Sequence, residues 1–199
     1  MKKKPVAYVS SVVLLLVLAF IINLTAENKL PEKSKVENFS LKDYNGKAHS
    51  LADYKKSKAI VLIFVSTQCP ISNAYNTRMA ELQKKYSSKE VTFLGINSNK
   101  QESISEIKSH AEENKLGFAV LKDEKNIIAD KLEASVTPEV YVINSNFEVL
   151  YHGRIDDSRD EGDITSKDLS TALDEVLSGK KVSNIRTKAF GCTIKRIDS

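Results

Sequence analysis

The segment from Phe64 to Ser72, Phe-Val-Ser-Thr-Gln-Cys-Pro-Ile-Ser, holds the residue best suited to chemistry. Cys69 follows a continuous apolar run, and Pro70 suits the first position of a helix, where its missing N–H is not needed. Cys69 would then face the unpaired amide groups of the first helical turn, which favour a thiolate over a thiol. A thiolate at this place could attack a disulfide or a peroxide. The alternative is a buried structural cysteine at a helix start.

The chain has one other cysteine, Cys192, near its C-terminus. No strong periodicity follows Gly179, so the C-terminal residues could run back across the domain as a tail. If this tail reaches the Cys69 loop, Cys192 could resolve a sulfenic acid or a mixed disulfide on Cys69. The two Cα atoms would have to come within roughly 7 Å of each other. A structural disulfide and an unpaired Cys192 are the alternatives.

The dipeptide Thr137-Pro138 stands immediately before an apolar stretch at 140–143 that predicts a strand. An X-Pro bond is awkward within a strand ladder unless it has a special part. A cis bond would turn the preceding carbonyl and amide toward the cysteine loop, whereas an ordinary trans proline entering an edge strand is the alternative. We predict that Thr137 and Pro138 shape a substrate groove beside Cys69.

Strands and helices alternate around these residues. Apolar runs rich in branched side chains predict buried strands at 59–65 and 91–96. Apolar residues at helical spacing lie between them, from Tyr75 to Tyr86. Asn99 with Glu102 is predicted to cap the next helix. Further strands are predicted at 37–41, 118–121, 140–143 and 147–151, and further helices at 126–132 and 169–177.

This order of elements predicts an α/β fold with a mixed central sheet and helices on both faces. The strand–helix alternation implies parallel strands, and a hairpin around residue 145 adds antiparallel strands at one side. The thioredoxin fold has this plan, although periodicity alone also permits other small α/β sandwiches. We find no internal repeat, and therefore predict one domain at 27–199 that follows an N-terminal segment at 1–26.

The N-terminal segment has the features of a signal anchor. Three lysines follow Met1, and residues 6–24 carry no charge, a length that is about sufficient to cross a bilayer as one helix. The basic start is predicted to stay in the cytoplasm, which places the domain on the extracytoplasmic, periplasmic side of the membrane. A cleaved signal peptide and a secreted form are the alternative, although Leu24-Thr25-Ala26 is a poor cleavage site.

The composition argues against several classes of function. The net charge is +4, three of the cations are the N-terminal lysines, and Lys and Glu are interspersed elsewhere, so nucleic acid is not an expected partner. No glycine-rich phosphate loop occurs, and His49, His110 and His152 lack metal-type spacing, so we expect no cofactor and no metal. These histidines are predicted to lie at the surface. A solvated acidic loop is predicted from Asp156, Asp157, Asp160, Glu161 and Asp163.

From residue 36 to 199 the sequence resembles the redoxins of the thioredoxin-like superfamily. This group includes the peroxiredoxins (alkyl hydroperoxide reductase/thiol-specific antioxidant family) and the tethered TlpA-type thiol–disulfide oxidoreductases. Phe64, Thr67, Cys69 and Pro70 are similar to the TlpA-type loop. A peroxiredoxin-like branch is closer still, and its motifs occur here in order: Cys69-Pro70, Gly95 to Asn99, Thr137 to Glu139, Gly153 to Asp157, and Gly191 to Lys195.

The resemblance implies a thiol-dependent oxidoreductase with antioxidant or thiol–disulfide exchange activity and Cys69 as its nucleophile. Its substrates would be protein thiols, disulfides or hydroperoxides, and an external reducing partner would regenerate it. Ser66 matches the Thr or Ser whose hydroxyl binds peroxide in peroxiredoxins. Thr137-Pro138 matches the cis-proline dipeptide of thioredoxin-like proteins, and Cys192 is the candidate resolving cysteine.

Some positions depart from these families. Ser72 replaces the second cysteine of the Cys-x-x-Cys motif, and Ile63 stands where thioredoxin has a buried carboxylate. The arginine that supports the thiolate in peroxiredoxins is missing near Thr137, and Arg154 is a candidate substitute. We therefore favour disulfide exchange or a general antioxidant role over peroxide reduction. The alternative is a non-catalytic binding or chaperone-like module, or a copper carrier, which Ser72 disfavours because it removes a thiol from the loop.

Overall fold

The computed structural model describes residues 35–197, and the predicted anchor at 6–24 lies outside the described residues. Within the described range, no helix combines the length and apolar character needed to span a membrane. The helices are α1 (Pro70–Ala74), α2 (Asn76–Ser87), α3 (Ile104–Glu113), α4 (Ile127–Leu132) and α5 (Asp168–Leu177). The strands are β1 (Ser40–Asp43), β2 (Ala48–Ser50), β3 (Ala59–Phe64), β4 (Val91–Asn97), β5 (Ala119–Lys122), β6 (Val136–Thr137), β7 (Glu139–Ile143), β8 (Val149–Gly153) and β9 (Cys192–Thr193).

Seven strands form one mixed sheet in the order β2-β1-β5-β4-β3-β7-β8. Strands β3, β4 and β5 are parallel, as the strand–helix alternation predicts. Strand β7 runs antiparallel to both β3 and β8, and β1 runs antiparallel to both β5 and β2. The mixed sheet is therefore confirmed, but its antiparallel strands lie at both sides rather than at one, because the N-terminal hairpin joins the sheet through β5.

The central strand β3 is buried on both faces of the sheet. Successive side chains of a strand point to opposite faces. Val61 and Ile63 accordingly pack in one cluster with residues of α2, α3 and α5, whereas Ile60 and Leu62 pack in another with residues of α4. All four side chains are 0% exposed. The prediction of helices on both faces of the sheet is confirmed.

The start of α3 differs from the sequence prediction in a way that affects the site. Ser103 is its N-cap, and the Ser103 side chain accepts a hydrogen bond from the amide of Glu106 in a capping box. The predicted cap formed by Asn99 and Glu102 is therefore wrong, because the Ser-x-x-Glu pair one turn later supplies the cap. Glu102 is left buried in front of the helix, where it is 1% exposed.

The C-terminal residues 185–197, here called the strap, run back across the domain as the sequence suggested. The strap pairs with the rest of the chain through a small second sheet of β6 and β9. In this antiparallel pair Val136 lies opposite Thr193, and Thr137 lies opposite Cys192. The strap thereby brings the second cysteine to the segment that precedes β7.

Candidate active site

Cys69 lies in the loop between β3 and α1, and it is 3% exposed. It is the N-cap residue of α1, with Pro70 at the start of the helix, so the predicted placement of Cys69 is confirmed. The amide of Ser72 donates a hydrogen bond to the Cys69 Sγ at 3.3 Å, and the amide of Asn73 donates to the Cys69 carbonyl at 2.9 Å. A donor directed at sulfur favours the thiolate over the thiol in the reduced protein.

Cys69 and Cys192 are joined by a disulfide bond. Their Cα atoms are 5.8 Å apart although 123 positions separate them in sequence. This distance lies within the range that a disulfide requires. An unpaired Cys192 is therefore excluded in this state, since both cysteines of the chain take part in the bond.

Backbone hydrogen bonds on both sides of the disulfide hold the strap. Before it, the amide of Thr187 donates to the carbonyl of His152 at 3.0 Å. After it, the amide of Ile194 donates to the carbonyl of Ser135 at 2.9 Å. These contacts do not involve sulfur, so they are available to keep the strap beside the loop when the disulfide is open.

The Thr137-Pro138 peptide bond is cis, which decides between the two predicted alternatives. The carbonyl oxygen of Thr137 lies 3.4 Å from the Cys69 Sγ, and Thr137 pairs with Cys192 in the small sheet. Gly191 passes so close to the Thr137 carbonyl that a Cβ at this position would collide with it. The structure thus brings Cys69, Cys192 and Thr137 together, with Pro138 adjoining them.

Ser66 lies beneath the Cys69 loop and is 5% exposed. Its hydroxyl accepts hydrogen bonds from the amides of Cys69 at 3.0 Å and Gln68 at 3.2 Å, and donates its own proton to Glu102 at 2.5 Å. The Ser66 amide donates to the Ser72 hydroxyl at 3.2 Å. In this disulfide-bonded state the Ser66 proton is directed at Glu102 and the Ser66 oxygen holds the Cys69 backbone, so contact of the hydroxyl with a reacting group stays a prediction.

Glu102 is a site residue that the sequence analysis missed. Its carboxylate accepts hydrogen bonds from the Ser66 hydroxyl, from the amides of Thr67 at 2.8 Å and Gln68 at 3.4 Å, and from the Asn97 side chain at 2.5 Å. Three of these four donors belong to the loop that carries Cys69. One sequence pattern could have indicated it. The Ser-x-x-Glu pair at 103–106 is a capping box, so Glu102, which precedes it, is not needed to cap the helix.

Lys122, on β5, completes the polar cluster around Glu102. Its ammonium donates to the backbone carbonyls of Asn99 and Glu102, both at 2.7 Å, and to the Asn97 Oδ1 at 3.2 Å. Burial lowers the pKa of Lys122, and the Glu102 carboxylate opposes this effect. The cluster therefore contains one buried acid, one half-buried base and the amide group that both of them contact.

Glu139 and His152 support the other side of the site. The Glu139 carboxylate accepts hydrogen bonds from the amides of Ser135 at 2.8 Å and Val136 at 3.1 Å, and lies 2.6 Å from the His152 Nε2. The His152 ring stacks on Tyr141 at 4.1 Å between centroids. Burial acts to raise the pKa of Glu139, but the hydrogen bonds from His152 and the two amides hold it below its usual value. This pair fixes the chain entering Thr137, and sequence spacing did not indicate it.

The predicted supporting arginine has a different partner. The Arg154 Nε donates to Asp168 at 2.8 Å, and the structure describes no hydrogen bond from Arg154 to either cysteine. Another arginine contacts the helix that Cys69 caps: Arg78 donates to the Ala74 carbonyl at 3.3 Å and to both carboxylate oxygens of Asp156, at 2.7 and 2.8 Å. Arg78 is 7% exposed and Asp156 is 3% exposed, so the prediction that Asp156 is solvated is wrong. The ion pair makes its burial possible.

The prediction that the three histidines lie at the surface is also wrong. His49 is 6% and His152 8% exposed, and His110 is half-buried. Each of the three histidines has a polar partner. For His49 the partners are Asp43, at 2.9 Å from Nε2, and the Tyr54 hydroxyl. Within residues 35–197, no group of three or more His, Cys, Asp or Glu side chains is placed to hold a metal ion.

Residues 33–156 match the family model of the AhpC/TSA family. A "Probable phospholipid hydroperoxide glutathione peroxidase" of Solanum lycopersicum is 36% identical over 64 residues, which is 32% of this chain and 37% of that protein. The chain thus spans about a third of the length of this curated relative.

Solved structures extend the likeness over most of the chain. An uncharacterized conserved protein from Geobacillus kaustophilus aligns with a TM-score of 0.80 and 31% identity, over 86% of this chain and 95% of that one. Peroxidoxin BcpB from Mycobacterium tuberculosis aligns with a TM-score of 0.54 and 18% identity, over 77% of this chain and 96% of that one, which shows the fold alone. Solved thiol–disulfide oxidoreductases share the fold at similarly low identity.

These comparisons agree with the architecture. The family match includes Ser66, Cys69 and Thr137 and ends before Cys192. The fold is the predicted thioredoxin-like fold, and the predicted resemblance to the redoxins is confirmed. The chain belongs to the AhpC/TSA family.

Proposed function

We propose that this protein is a thiol-dependent oxidoreductase in which Cys69 is the nucleophile and Cys192 the resolving cysteine. The observation that carries the proposal is the bond between a helix N-cap cysteine and a cysteine 123 positions away. The helix amide on sulfur supports the reactivity of Cys69, because it favours the thiolate that exchange requires. The Thr137 carbonyl, 3.4 Å from the same sulfur, marks the edge of the proposed substrate groove, with Pro138 behind it.

The proposed cycle has two exchange steps. The Cys69 thiolate attacks a substrate disulfide, forms a mixed disulfide and releases one substrate thiolate. The Cys192 thiolate then attacks the Cys69 sulfur, releases the second substrate thiolate and closes the Cys69–Cys192 bond. Two electrons pass from the protein to the substrate, and an external dithiol returns them by reducing the closed bond. With a hydroperoxide, Cys69 would become a sulfenic acid with release of water or alcohol, and Cys192 would then displace water.

Non-reducing peptide mass spectrometry tests this cycle. The fully reduced protein is mixed with a stoichiometric amount of hydroxyethyl disulfide or hydrogen peroxide, quenched at intervals by acid and alkylation, and digested. We expect a mixed disulfide or sulfenic acid on Cys69 first, and the Cys69–Cys192 peptide afterwards. Accumulation of sulfinic acid on Cys69 while Cys192 stays reduced would refute a resolving role. If both thiols remain unmodified, the protein is better described as a non-catalytic binding module.

We also propose that the domain works on the extracytoplasmic side of a membrane, held there by residues 6–24. The uncharged segment behind three lysines supports this placement, and an exported compartment is compatible with the disulfide. Expression of the full chain in bacteria, followed by carbonate extraction and protease treatment of spheroplasts, tests it. Recovery of the chain in the membrane fraction with a protease-sensitive domain is expected, and a protease-protected domain in intact spheroplasts would contradict it.

A further inference from the structure

We infer that Glu102 is a specificity-determining residue of this site: by holding the hydrogen-bond donors of the Cys69 loop, it favours disulfide over hydroperoxide substrates. The inference rests on the proposed role of Cys69 as nucleophile. It names the substrate class that this nucleophile serves. The hydrogen bonds of residues 66–69 support this role of Glu102.

Four hydrogen-bond donors of the Cys69 loop are occupied within the protein. The Ser66 hydroxyl and the Thr67 amide donate to the Glu102 carboxylate. The Gln68 amide is shared between Glu102 and the Ser66 oxygen, and the Cys69 amide donates to the same oxygen. The buried Thr67 hydroxyl has no described hydrogen-bond partner and is not one of these four. The four donors are therefore directed into the protein rather than toward a group bound at the sulfur.

The two candidate substrates differ in how much they need such donors. Attack of a thiolate on hydrogen peroxide expels hydroxide, the conjugate base of water, and water is a far weaker acid than a thiol. Attack on a disulfide expels a thiolate, and the pKa of an ordinary thiol is about 8.5. The developing charge on oxygen requires donors aimed at it, whereas the sulfur leaving group carries its charge with less support. A loop in which the Ser66 hydroxyl and the backbone amides of residues 67–69 are already occupied is thus better suited to disulfides.

The charge arrangement around Glu102 acts in the same direction. The carboxylate accepts four hydrogen bonds and is 1% exposed, so a buried negative charge lies behind the loop. The cation that balances it, Lys122, directs its described hydrogen bonds to Asn97, Asn99 and the Glu102 backbone, and none to the cysteine sulfur. A negatively charged oxygen at Cys69 would therefore face the Glu102 anion without gaining a hydrogen bond from Lys122.

The substitution Glu102→Gln tests the inference in the full-length protein. The amide keeps the size of the side chain and can still accept from the loop amides, but it no longer requires the Ser66 proton, which becomes available toward the sulfur. We expect the ratio of the rate constants for Cys69 oxidation by hydrogen peroxide and by hydroxyethyl disulfide to rise by about tenfold or more, since a single placed donor is worth 10² or more in comparable sites. Both reactions end in the same Cys69–Cys192 bond, so one readout serves both.

Two further variants separate this effect from a general disturbance. Glu106→Gln is the matched control, because Glu106 is an acid in the first turn of α3 that contacts the Gln68 side chain rather than the loop backbone, and glutamine can also close the capping box with Ser103. In Glu106→Gln the ratio of the peroxide to the disulfide rate constant should stay within about twofold of the parent value, because the substitution affects only an exposed hydrogen bond. Adding Ser66→Ala to Glu102→Gln should return the peroxide-to-disulfide ratio to the value of the parent protein. This result would identify the Ser66 hydroxyl as the donor that Glu102 holds away from the sulfur.

Ser66→Ala in the otherwise unsubstituted protein covers the case in which Glu102→Gln does not fold. Because the Ser66 proton is directed at Glu102 in the parent protein, its removal should not lower the peroxide-to-disulfide ratio of rate constants. The thiolate fraction of Cys69 affects both reactions equally and cancels in this ratio. A tenfold fall of the ratio in Ser66→Ala would show that the hydroxyl already assists the attack on peroxide, and would contradict the inference.

The outcomes distinguish this inference from the proposed function. If the parent protein reacts with neither oxidant, the role of Cys69 as nucleophile fails. If the parent exchanges disulfides but the ratio is unchanged in Glu102→Gln or falls tenfold in Ser66→Ala, the role of Cys69 stands and the role of Glu102 is refuted. A ratio that rises equally in Glu102→Gln and Glu106→Gln would also refute it, since the cause would then be the loss of a surface charge.

Discussion

Substitution of Cys192 by serine is expected to stop the reaction at a mixed disulfide between Cys69 and the substrate. In the parent protein the strap holds residue 192 opposite Thr137, with its Cα 5.8 Å from that of Cys69. The second exchange step is therefore intramolecular, and loss of the attacking thiol replaces it by a bimolecular step. We expect steady-state turnover with a low concentration of a monothiol to fall by about a hundredfold or more. The trapped adduct is measured by intact-protein mass spectrometry.

The companion variant Cys69→Ser provides the control for this result. It should form no adduct with the same substrate, because the remaining thiol of Cys192 lacks the helix amide that favours the thiolate. Adduct formation on Cys192 in Cys69→Ser, at the rate seen on Cys69 in Cys192→Ser, would reverse the assigned roles. Undiminished turnover of Cys192→Ser would show that an external thiol resolves Cys69 and that the disulfide has a different purpose.

Substitution of Arg78 by methionine is expected to lower the free energy of unfolding by about 3–5 kcal/mol, the range for removing one partner of a buried ion pair. Arg78 contacts Asp156 through two hydrogen bonds, and its guanidinium also donates to the backbone carbonyls of Ser158 and Arg159. The methionine keeps much of the apolar stem but leaves the Asp156 carboxylate buried without its cation. Urea denaturation of the oxidised protein at neutral pH measures the change.

Two variants show whether the loss arises from the unpaired charge. Adding Asp156→Asn to Arg78→Met should restore part of the stability, since it removes the uncompensated carboxylate. Lys58→Met breaks an ion pair whose side chains are each 61% exposed, and should cost at most about 1 kcal/mol. A loss below 1 kcal/mol in Arg78→Met itself would mean that water or a neighbouring group replaces the guanidinium.

The parts of the molecule that sequence reasoning predicted are those governed by local patterns. The continuous apolar run of β3 indicates a strand buried on both faces, and Pro70 indicates a helix start, so the position of Cys69 follows from adjacent residues. The cis geometry at Thr137-Pro138 and the path of the strap were open alternatives. They depend on how β7 and the C-terminal residues meet in space, which no local pattern specifies.

The features that escaped prediction are contacts between residues far apart in sequence. Ser66 and Glu102 are 36 positions apart, and Arg78 and Asp156 are 78 apart. No local pattern pairs Ser66 with Glu102 or Arg78 with Asp156. The burial of each side chain is decided by the partner that the sheet brings beside it, because a buried charge needs a compensating group. The family resemblance indicated where hydroxyls and thiols should lie, but not that an acid from the β4–α3 connection would take up the loop donors.

The long loop closed by the Cys69–Cys192 bond has a consequence for the lifetime of the protein. A cross-link over about 100 residues stabilises a fold by about 4.7 kcal/mol in the chain-entropy model, because it restricts the unfolded chain. Reduction and unfolding form a closed thermodynamic cycle. The free energy of unfolding that is lost when the bond opens therefore equals the extra free energy needed to reduce the bond in the folded domain, compared with the unfolded chain. Each reduced interval is then also an interval of greater susceptibility to proteolysis. The supply of reductant would in this way set both the activity of the domain and its rate of degradation.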